Sequence, residues 1–303
     1  GATNTAIGRE ALQKNTTGSD STAVGYQALY SNTTGGSNTA IGREAMEKNT
    51  TGVNNIAVGR EALQDNTTGS ANTAVGKGAL SSATTASNNT GCGYGALRDN
   101  TSGGNNTALG YFALEANTTG SQNVALGTTA LLNNTTGIDN VGVGYQALYQ
   151  NTTGNYNVAI GREAMEQNTT ARYCQAIGYK AMWSNTTGER NVAIGHSSLY
   201  TNTTGRYNTA LGYTSLYNNT ADGNTGLGYQ TLYSNTTGVN NIAIGKVALY
   251  ANTTGTYNVA VGADALRYNT DGDYNSANGQ QTLYYNTTGV NNSAYGRQAM
   301  RQN

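Results

Sequence analysis

The residues with the clearest chemical potential are asparagines followed by Thr-Thr or Thr-Ser, which fits the acceptor pattern for N-linked glycosylation. Such an asparagine carries a glycan on its side-chain amide where the source organism modifies it. The alternative is a ladder of stacked asparagines that hydrogen-bond between turns of the chain. That alternative also explains Asn219 and Asn269, which persist where the acceptor pattern is lost. The acceptor candidates are Asn15, Asn32, Asn49, Asn66, Asn100, Asn117, Asn134, Asn151, Asn168, Asn185, Asn202, Asn235, Asn252 and Asn286.

Tyrosine is the second informative residue type. The chain has 22 Tyr against one Phe, so aromatic rings are favoured with a polar end, as at a wet surface or an interface. Stacked rings that cover the edge of a core are one interpretation. An aromatic strip that binds glycans or neighbouring fibres is the other. The candidate recognition residues are Tyr26, Tyr30, Tyr145, Tyr149, Tyr213, Tyr217, Tyr229 and Tyr233.

Catalytic chemistry has little support. The single histidine, His196, follows Gly195 at a place where comparable segments carry Arg or Tyr, which is typical of a variable surface position. The acidic residues are scattered over similar positions and form no evident catalytic pair. Residues 271–275, "DGDYN", resemble half of a calcium loop, but the later Gly and Glu are missing, so a polar turn is favoured. We therefore predict no enzyme, no cofactor and no metal site.

A short repeat positions all these residues. Glycine recurs as the fifth residue of eighteen repeats of seventeen residues, from Gly8 to Gly296, with one residue deleted between Gly212 and Gly228. With repeat positions numbered 1 to 17 from Asn4, positions 3 and 8 are small, position 9 is Leu or Met, and position 4 is aliphatic or Cys in the first sixteen repeats. One repeat cannot bury its apolar residues alone. We predict that repeats stack like on like, with positions 4 and 9 as the large columns of a thin interior.

The local pattern predicts an all-β fold. "TAIG" predicts a short strand that ends at Gly, and "TTG" predicts a turn near which the deletion falls, at residues 219–223. The segment between them, as in "REALQKN", contains helix formers, so short helical turns are an alternative there. Because stacked strands lie ~4.8 Å apart and packed helices need ~8 to 10 Å, an extended or tightly turned arc is favoured. Residues 1–303 are thus predicted to form a single array, a parallel β-solenoid or β-roll of eighteen seventeen-residue coils without separate domains.

Composition excludes other classes of protein. The 16 basic and 16 acidic residues cancel, which argues against nucleic acid as a partner. No stretch approaches the ~20 apolar residues of a membrane helix, so no membrane insertion is expected. The absence of Pro suits continuous backbone ladders. Cys92 and Cys174 lie five repeats apart, about 24 Å in such a stack, so we predict no disulfide between them.

The core motif of the repeat resembles a known family. "NVAIG" at residues 157–161 and 191–195 resembles the head repeats of trimeric autotransporter adhesins. The longer form, "NTAVG" followed by "AL" and "NTTG", is similar to repeats of phage tail-fibre and bacterial surface proteins. The resemblance covers the whole chain. It implies a left-handed parallel β-roll, often trimeric, that serves as an extracellular adhesive or spacer segment.

We therefore predict a structural or adhesive fibre segment that is extracellular or lies at a cell or virion surface. The expected partner is the chain itself, as a head-to-tail filament or a trimer, because each end cuts through a repeat and exposes ladder groups. An excerpt from a longer repeat chain is the alternative reading of those ends. The alternative function is a glycan- or ice-binding solenoid, with glycans or a cell surface as partners and Thr at repeat positions 13 and 14 facing the ice.

Overall fold

The computed structural model describes residues 3–302 and divides the chain into an N-terminal body, Gly1–Gly154, and a C-terminal body, Asn155–Asn303. Each repeat contributes one three-residue strand, at repeat positions 2 to 4. The strands of the N-terminal body are β1 (Thr5–Ile7), β2 (Thr22–Val24), β3 (Thr39–Ile41), β4 (Ile56–Val58), β5 (Thr73–Val75), β6 (Thr90–Cys92), β7 (Thr107–Leu109), β8 (Val124–Leu126) and β9 (Val141–Val143). Those of the C-terminal body are β10 (Val158–Ile160), β11 (Gln175–Ile177), β12 (Val192–Ile194), β13 (Thr209–Leu211), β14 (Thr225–Leu227), β15 (Ile242–Ile244), β16 (Val259–Val261), β17 (Ser276–Asn278) and β18 (Ser293–Tyr295).

Consecutive strands within each body pair in parallel, with each repeat position opposite the same position of the next coil. Ala23 lies opposite Ala40, for example. The one-residue deletion leaves this register intact, because Thr209 still pairs with Thr225. The missing residue is absorbed in the turn, where the Asn208 side-chain amide donates to the Ala221 carbonyl at 2.8 Å. The predicted all-β parallel solenoid of stacked coils is confirmed.

Turns, and no helix, connect the strands in residues 3–302. Repeat positions 7, 9 and 17 have positive φ, as at Gln27 (54°) and Leu29 (51°), whereas a helix needs consecutive negative values. Their backbone N–H groups also point to neighbouring coils. The Leu29 N–H donates to the Ala45 carbonyl and the Gln27 N–H to the Arg9 carbonyl, both at 3.0 Å. The alternative of short helical turns is therefore wrong, because backbone pairing runs between coils here too.

Glycine at repeat position 5 is required by the closeness of the coils. Its φ lies between 107° and 145° in every repeat, a region that side chains other than glycine's disfavour. A Cβ at Gly25 would lie only 2.4 Å from the Gly42 carbonyl oxygen of the next coil. This contact explains why glycine marks the period of the sequence.

The interior is thin and is built from Ala at repeat positions 3 and 8 with Leu or Met at position 9, fully buried from Leu29 to Leu283. Position 4 does not belong to it. Leu109 is 52% exposed, whereas Leu114 of the same coil is 0% exposed. Side chains alternate along a strand, so Ala108, pointing inward, turns Leu109 outward. The prediction that position 4 forms part of the interior is wrong.

Candidate recognition surfaces

The acceptor-pattern asparagines, at repeat position 12, form a ladder inside the coils. All of them except Asn15 are buried. The Asn49 Nδ2 donates to the Asn32 Oδ1 at 2.8 Å and to the Gly52 carbonyl in its own turn at 3.1 Å. A Cβ at Gly52 would lie 2.5 Å from the Asn49 Oδ1, so glycine at repeat position 15 gives the ladder its space.

The ladder is interrupted where Ala83 replaces asparagine, which leaves the buried Asn66 Oδ1 without a hydrogen-bond partner. Repeat position 15 of the same coil is Ala86 instead of glycine. In the C-terminal body, Ala171 occupies the same position beside the buried Asn168 of its own coil, so alanine there is compatible with the ladder. In the C-terminal body the buried Asn202 Oδ1 also lacks a partner, next to the turn that carries the deletion.

A second asparagine ladder lies at repeat position 1. The Asn55 Nδ2 donates to the Gly69 carbonyl at 2.9 Å, and its Oδ1 accepts the Asn72 N–H at 2.9 Å. The sequence carried the signal for this ladder, because position 1 is Asn in every repeat except two, which have Ser21 and Cys174. Through these hydrogen bonds, both ladders link the polar turn of one coil to the neighbouring coil.

The ladder geometry bears directly on glycosylation. A glycan on Nδ2 would replace a donated N–H and would need space that the neighbouring coil occupies. We therefore expect folded material purified from its source to carry no sugar at Asn117 or Asn134. Mass spectrometry of the corresponding peptides should find them unmodified, and a glycan at either residue in folded chain would contradict this expectation.

The outer face of the strands is uncharged, and its repeat position 4 is mostly aliphatic. Repeat positions 2 and 4, which both point outward, carry mostly Thr, Val, Ile and Leu and no charged residue. Monomeric soluble proteins rarely expose large contiguous apolar patches. Sequence reasoning missed this face because it placed position 4 in the core. The exposed aliphatic residues are Ile7, Ile41, Ile56, Val75 and Leu109 in the N-terminal body, and Ile160, Ile177, Leu211, Ile242, Ile244 and Val259 in the C-terminal body.

The candidate tyrosines lie in two columns outside the core. At repeat position 6, Tyr26, Tyr145, Tyr213 and Tyr229 are exposed, and at position 10, Tyr30, Tyr149, Tyr217 and Tyr233 are half-buried. The structure brings Tyr213 against Tyr229 at 5.5 Å between ring centroids and Tyr217 against Tyr233 at 5.2 Å. In the N-terminal body, the Lys14 ammonium lies 4.5 Å from the Tyr30 ring centroid.

Position 10 of the C-terminal body contains a longer run of stacked rings than the sequence candidates indicated. Its rings are Trp183, Tyr200, Tyr217, Tyr233 and Tyr250, with centroids 5.0 to 5.3 Å apart and planes within 12° of parallel. Burial, together with Tyr217 and Tyr250, raises the pKa of Tyr233. The three inner rings have both faces covered by neighbouring rings, which supports the interpretation that they cover the core edge. The constant spacing of aromatic residues at this position was the available signal.

The remaining chemically active side chains lie at the surface and contact residues of neighbouring coils. His196 lies between the rings of Tyr179 and Tyr213, 5.0 Å from each. In the polar turn, the Asp271 carboxylate accepts the Thr254 hydroxyl at 2.9 Å. Across residues 3–302, no group of three or more His, Cys, Asp or Glu side chains could hold a metal ion. The same residues include no helix with the length and apolarity to cross a membrane.

The two cysteines are free thiols in contrasting environments. Cys92 lies half-buried on the outer strand face, whereas Cys174 is buried in the position 1 ladder and donates its S–H to the Gly188 carbonyl at 3.2 Å. Burial raises the pKa of Cys174 to about 11, so its thiol stays protonated at pH 8. We expect a thiol reagent at pH 8 to label Cys92 in the folded chain and Cys174 only after denaturation. Rapid labelling of Cys174 in folded chain would contradict the buried placement.

Comparison of the chain with models of known protein families finds none that matches it, and comparison with curated proteins finds no match either. The resemblance of the repeats to adhesin heads and to fibre proteins therefore stays a prediction.

Proposed function

We propose that this chain is a structural or adhesive segment of a fibre, extracellular or at a cell or virion surface, and that its copies assemble with one another. The observation that supports the proposal most directly is the uncharged outer strand face, which exposes aliphatic side chains in coil after coil. Contiguous exposed apolar surface of this kind marks interaction sites in soluble proteins.

A second copy of the chain suits this face as a partner. The face carries no charge that would repel an identical face. Its outward side chains recur at the ~4.8 Å spacing of the strands. The column of side chains at repeat position 4 of one copy therefore has the same spacing as that column in another copy. Closed symmetry would make such an assembly a lateral dimer or trimer.

A charge introduced into the column of repeat position 4 side chains tests the assembly. We expect the unaltered chain to sediment as an oligomer. We expect Leu109→Lys to raise the dissociation constant of that oligomer at least tenfold, because lysine resists burial in an apolar interface. Thr119→Lys adds the same charge at an exposed turn and should leave assembly unchanged. Analytical ultracentrifugation over a range of concentrations measures both variants. A monomer at every concentration would contradict self-assembly.

Ice binding is the second candidate, favoured by outward threonines on the strand face of the N-terminal body. These are Thr5, Thr22, Thr39, Thr73, Thr90 and Thr107 at repeat position 2. The threonines of repeat position 13 suit ice less well, because they bond within the protein; the Thr33 hydroxyl, for example, donates to the Thr50 carbonyl at 3.0 Å. Thermal hysteresis that is lost in Thr73→Lys would favour this function over a fibre.

A further inference from the structure

A notch of about 210 Å³ interrupts the side of the N-terminal body. It lies where small residues replace the larger ones of other coils, with Gly78 and Gly95 at repeat position 7 and Ser81 at position 10. No other repeat has glycine at position 7 or a residue as small as serine at position 10. Pockets for drug-sized ligands measure ~300 to 1,000 Å³, so the notch suits one small molecule, such as a single sugar ring.

Packing explains one of the two glycines and not the other. A Cβ at Gly95 would lie 2.5 Å from the Phe112 ring, which leans over it from the next coil. A Cβ at Gly78 would meet no atom within 4 Å. Other coils carry glutamine at this position, and their backbone there is similar. Gly78 has a φ of 66° and Gln27 one of 54°. The empty space over Gly78 is therefore not required by the fold.

The notch combines a cation that has no carboxylate partner with a carboxylate and an aromatic ring. Within residues 3–302, Lys77 forms no ion pair, and its ammonium lies 5.5 Å from the centroid of the Tyr94 ring, which is 44% exposed. Glu61, at the edge of the notch, pairs with Arg60 at 2.7 Å.

Arg98, the second cation of the lining, is already paired with two carboxylates. Its guanidinium lies 2.5 Å from a Glu115 oxygen and 3.1 Å from an Asp99 oxygen. Burial raises the pKa of Glu115 against the opposing effect of Arg98. Lys77 is therefore the lining cation best placed to accept an anionic group from a ligand.

We propose that this notch binds one acidic sugar of the uronic acid class. Its carboxylate pairs with Lys77, and its ring takes the place of the Lys77 ammonium over the Tyr94 ring, which stacks on Tyr111. Its hydroxyls donate to the Glu61 carboxylate and bond to the Ser81 hydroxyl. This combination of an aromatic wall, a cation and hydroxyl-binding groups is what an acidic sugar requires and what a simple anion does not use. The inference rests on the adhesive part of the proposed function and names the class of ligand that would be held.

Titration with methyl glucuronide, followed by protein NMR, tests the inference, with methyl glucoside as the neutral probe and acetate as the bare carboxylate. We expect a dissociation constant in the millimolar range for the glucuronide, as for other fragment-sized ligands. Gly78→Gln, which fills the notch with a residue that other coils carry, and Lys77→Ala should each weaken binding at least tenfold. Lys246→Ala is the matched control, since this lysine occupies the same repeat position but precedes Val247 where Lys77 precedes Gly78.

Equal binding of the glucuronide and the glucoside, or of the glucuronide and acetate, would overturn the inference. Unchanged binding in Gly78→Gln or an equal loss in Lys246→Ala would do so as well. Sedimentation of Gly78→Gln separates a failure of sugar binding from a failure of self-assembly, because this variant leaves the outer strand face unchanged. Lost sugar binding with unchanged assembly supports the notch, whereas assembly that fails in the unaltered chain contradicts the fibre alone.

Discussion

Asn117→Ala is expected to destabilise the N-terminal body by about 3 kcal/mol, because it removes a buried step of the asparagine ladder. The Asn117 Nδ2 donates to the Asn100 Oδ1 at 2.7 Å and to the Gly120 carbonyl at 2.9 Å, and its Oδ1 accepts from Asn134 at 2.9 Å. Alanine leaves buried polar atoms of both neighbours short of partners. Urea unfolding followed by circular dichroism measures the shift.

Restoring the missing asparagine of the ladder is expected to increase stability. The double variant Ala83→Asn with Ala86→Gly is expected to stabilise this body by about 2 kcal/mol, since the new amide can donate to the orphaned Asn66 Oδ1 and restore the bond in its own turn. Ala83→Asn alone is expected to bring most of this gain, because Ala171 is accommodated beside the buried Asn168 at the same two repeat positions of another coil. Ala86→Gly alone should gain nothing. An Ala83→Asn variant no more stable than the unaltered chain would contradict this account.

Leu114→Ala is expected to cost about 3 kcal/mol, whereas Leu109→Ala in the same coil is expected to cost less than about 0.5 kcal/mol. Leu114 is fully buried at repeat position 9, and its truncation opens a cavity between Ala-lined walls that cannot close. Leu109 is 52% exposed on the outer strand face. Urea unfolding measures both variants at a concentration where the chain is monomeric, so that assembly does not contribute. Equal costs would show that repeat position 4 is buried after all.

The amino-acid sequence by itself determined the period, the parallel stacking and the place of the strands. In-register stacking places each residue beside the residue at the same repeat position of the neighbouring coil. The same steric and polar requirements therefore recur every seventeen residues. The glycine at position 5 has to recur because a Cβ would meet the next backbone. The asparagine ladder was also foreseeable, since Asn219 and Asn269 survive the loss of the acceptor pattern.

Tertiary structure alone decided which apolar column faces inward. A three-residue strand such as Thr107–Leu109 has too few residues for its alternation to reveal a face, and both aliphatic columns repeat equally well along the chain. Closure of the coil settles the direction. A Cβ at Gly142, which shares repeat position 3 with Ala108, would already lie 3.2 Å from the Leu131 side chain and 3.3 Å from the Ala147 carbonyl oxygen, so this inward position has room for little beyond a methyl group. The larger Leu109 points outward, and Leu114, with its positive φ, points inward. The notch likewise depends on small residues of adjacent coils meeting across the stack, because Gly78 and Ser81 acquire a shared space only when Tyr94 and Gly95 lie beside them.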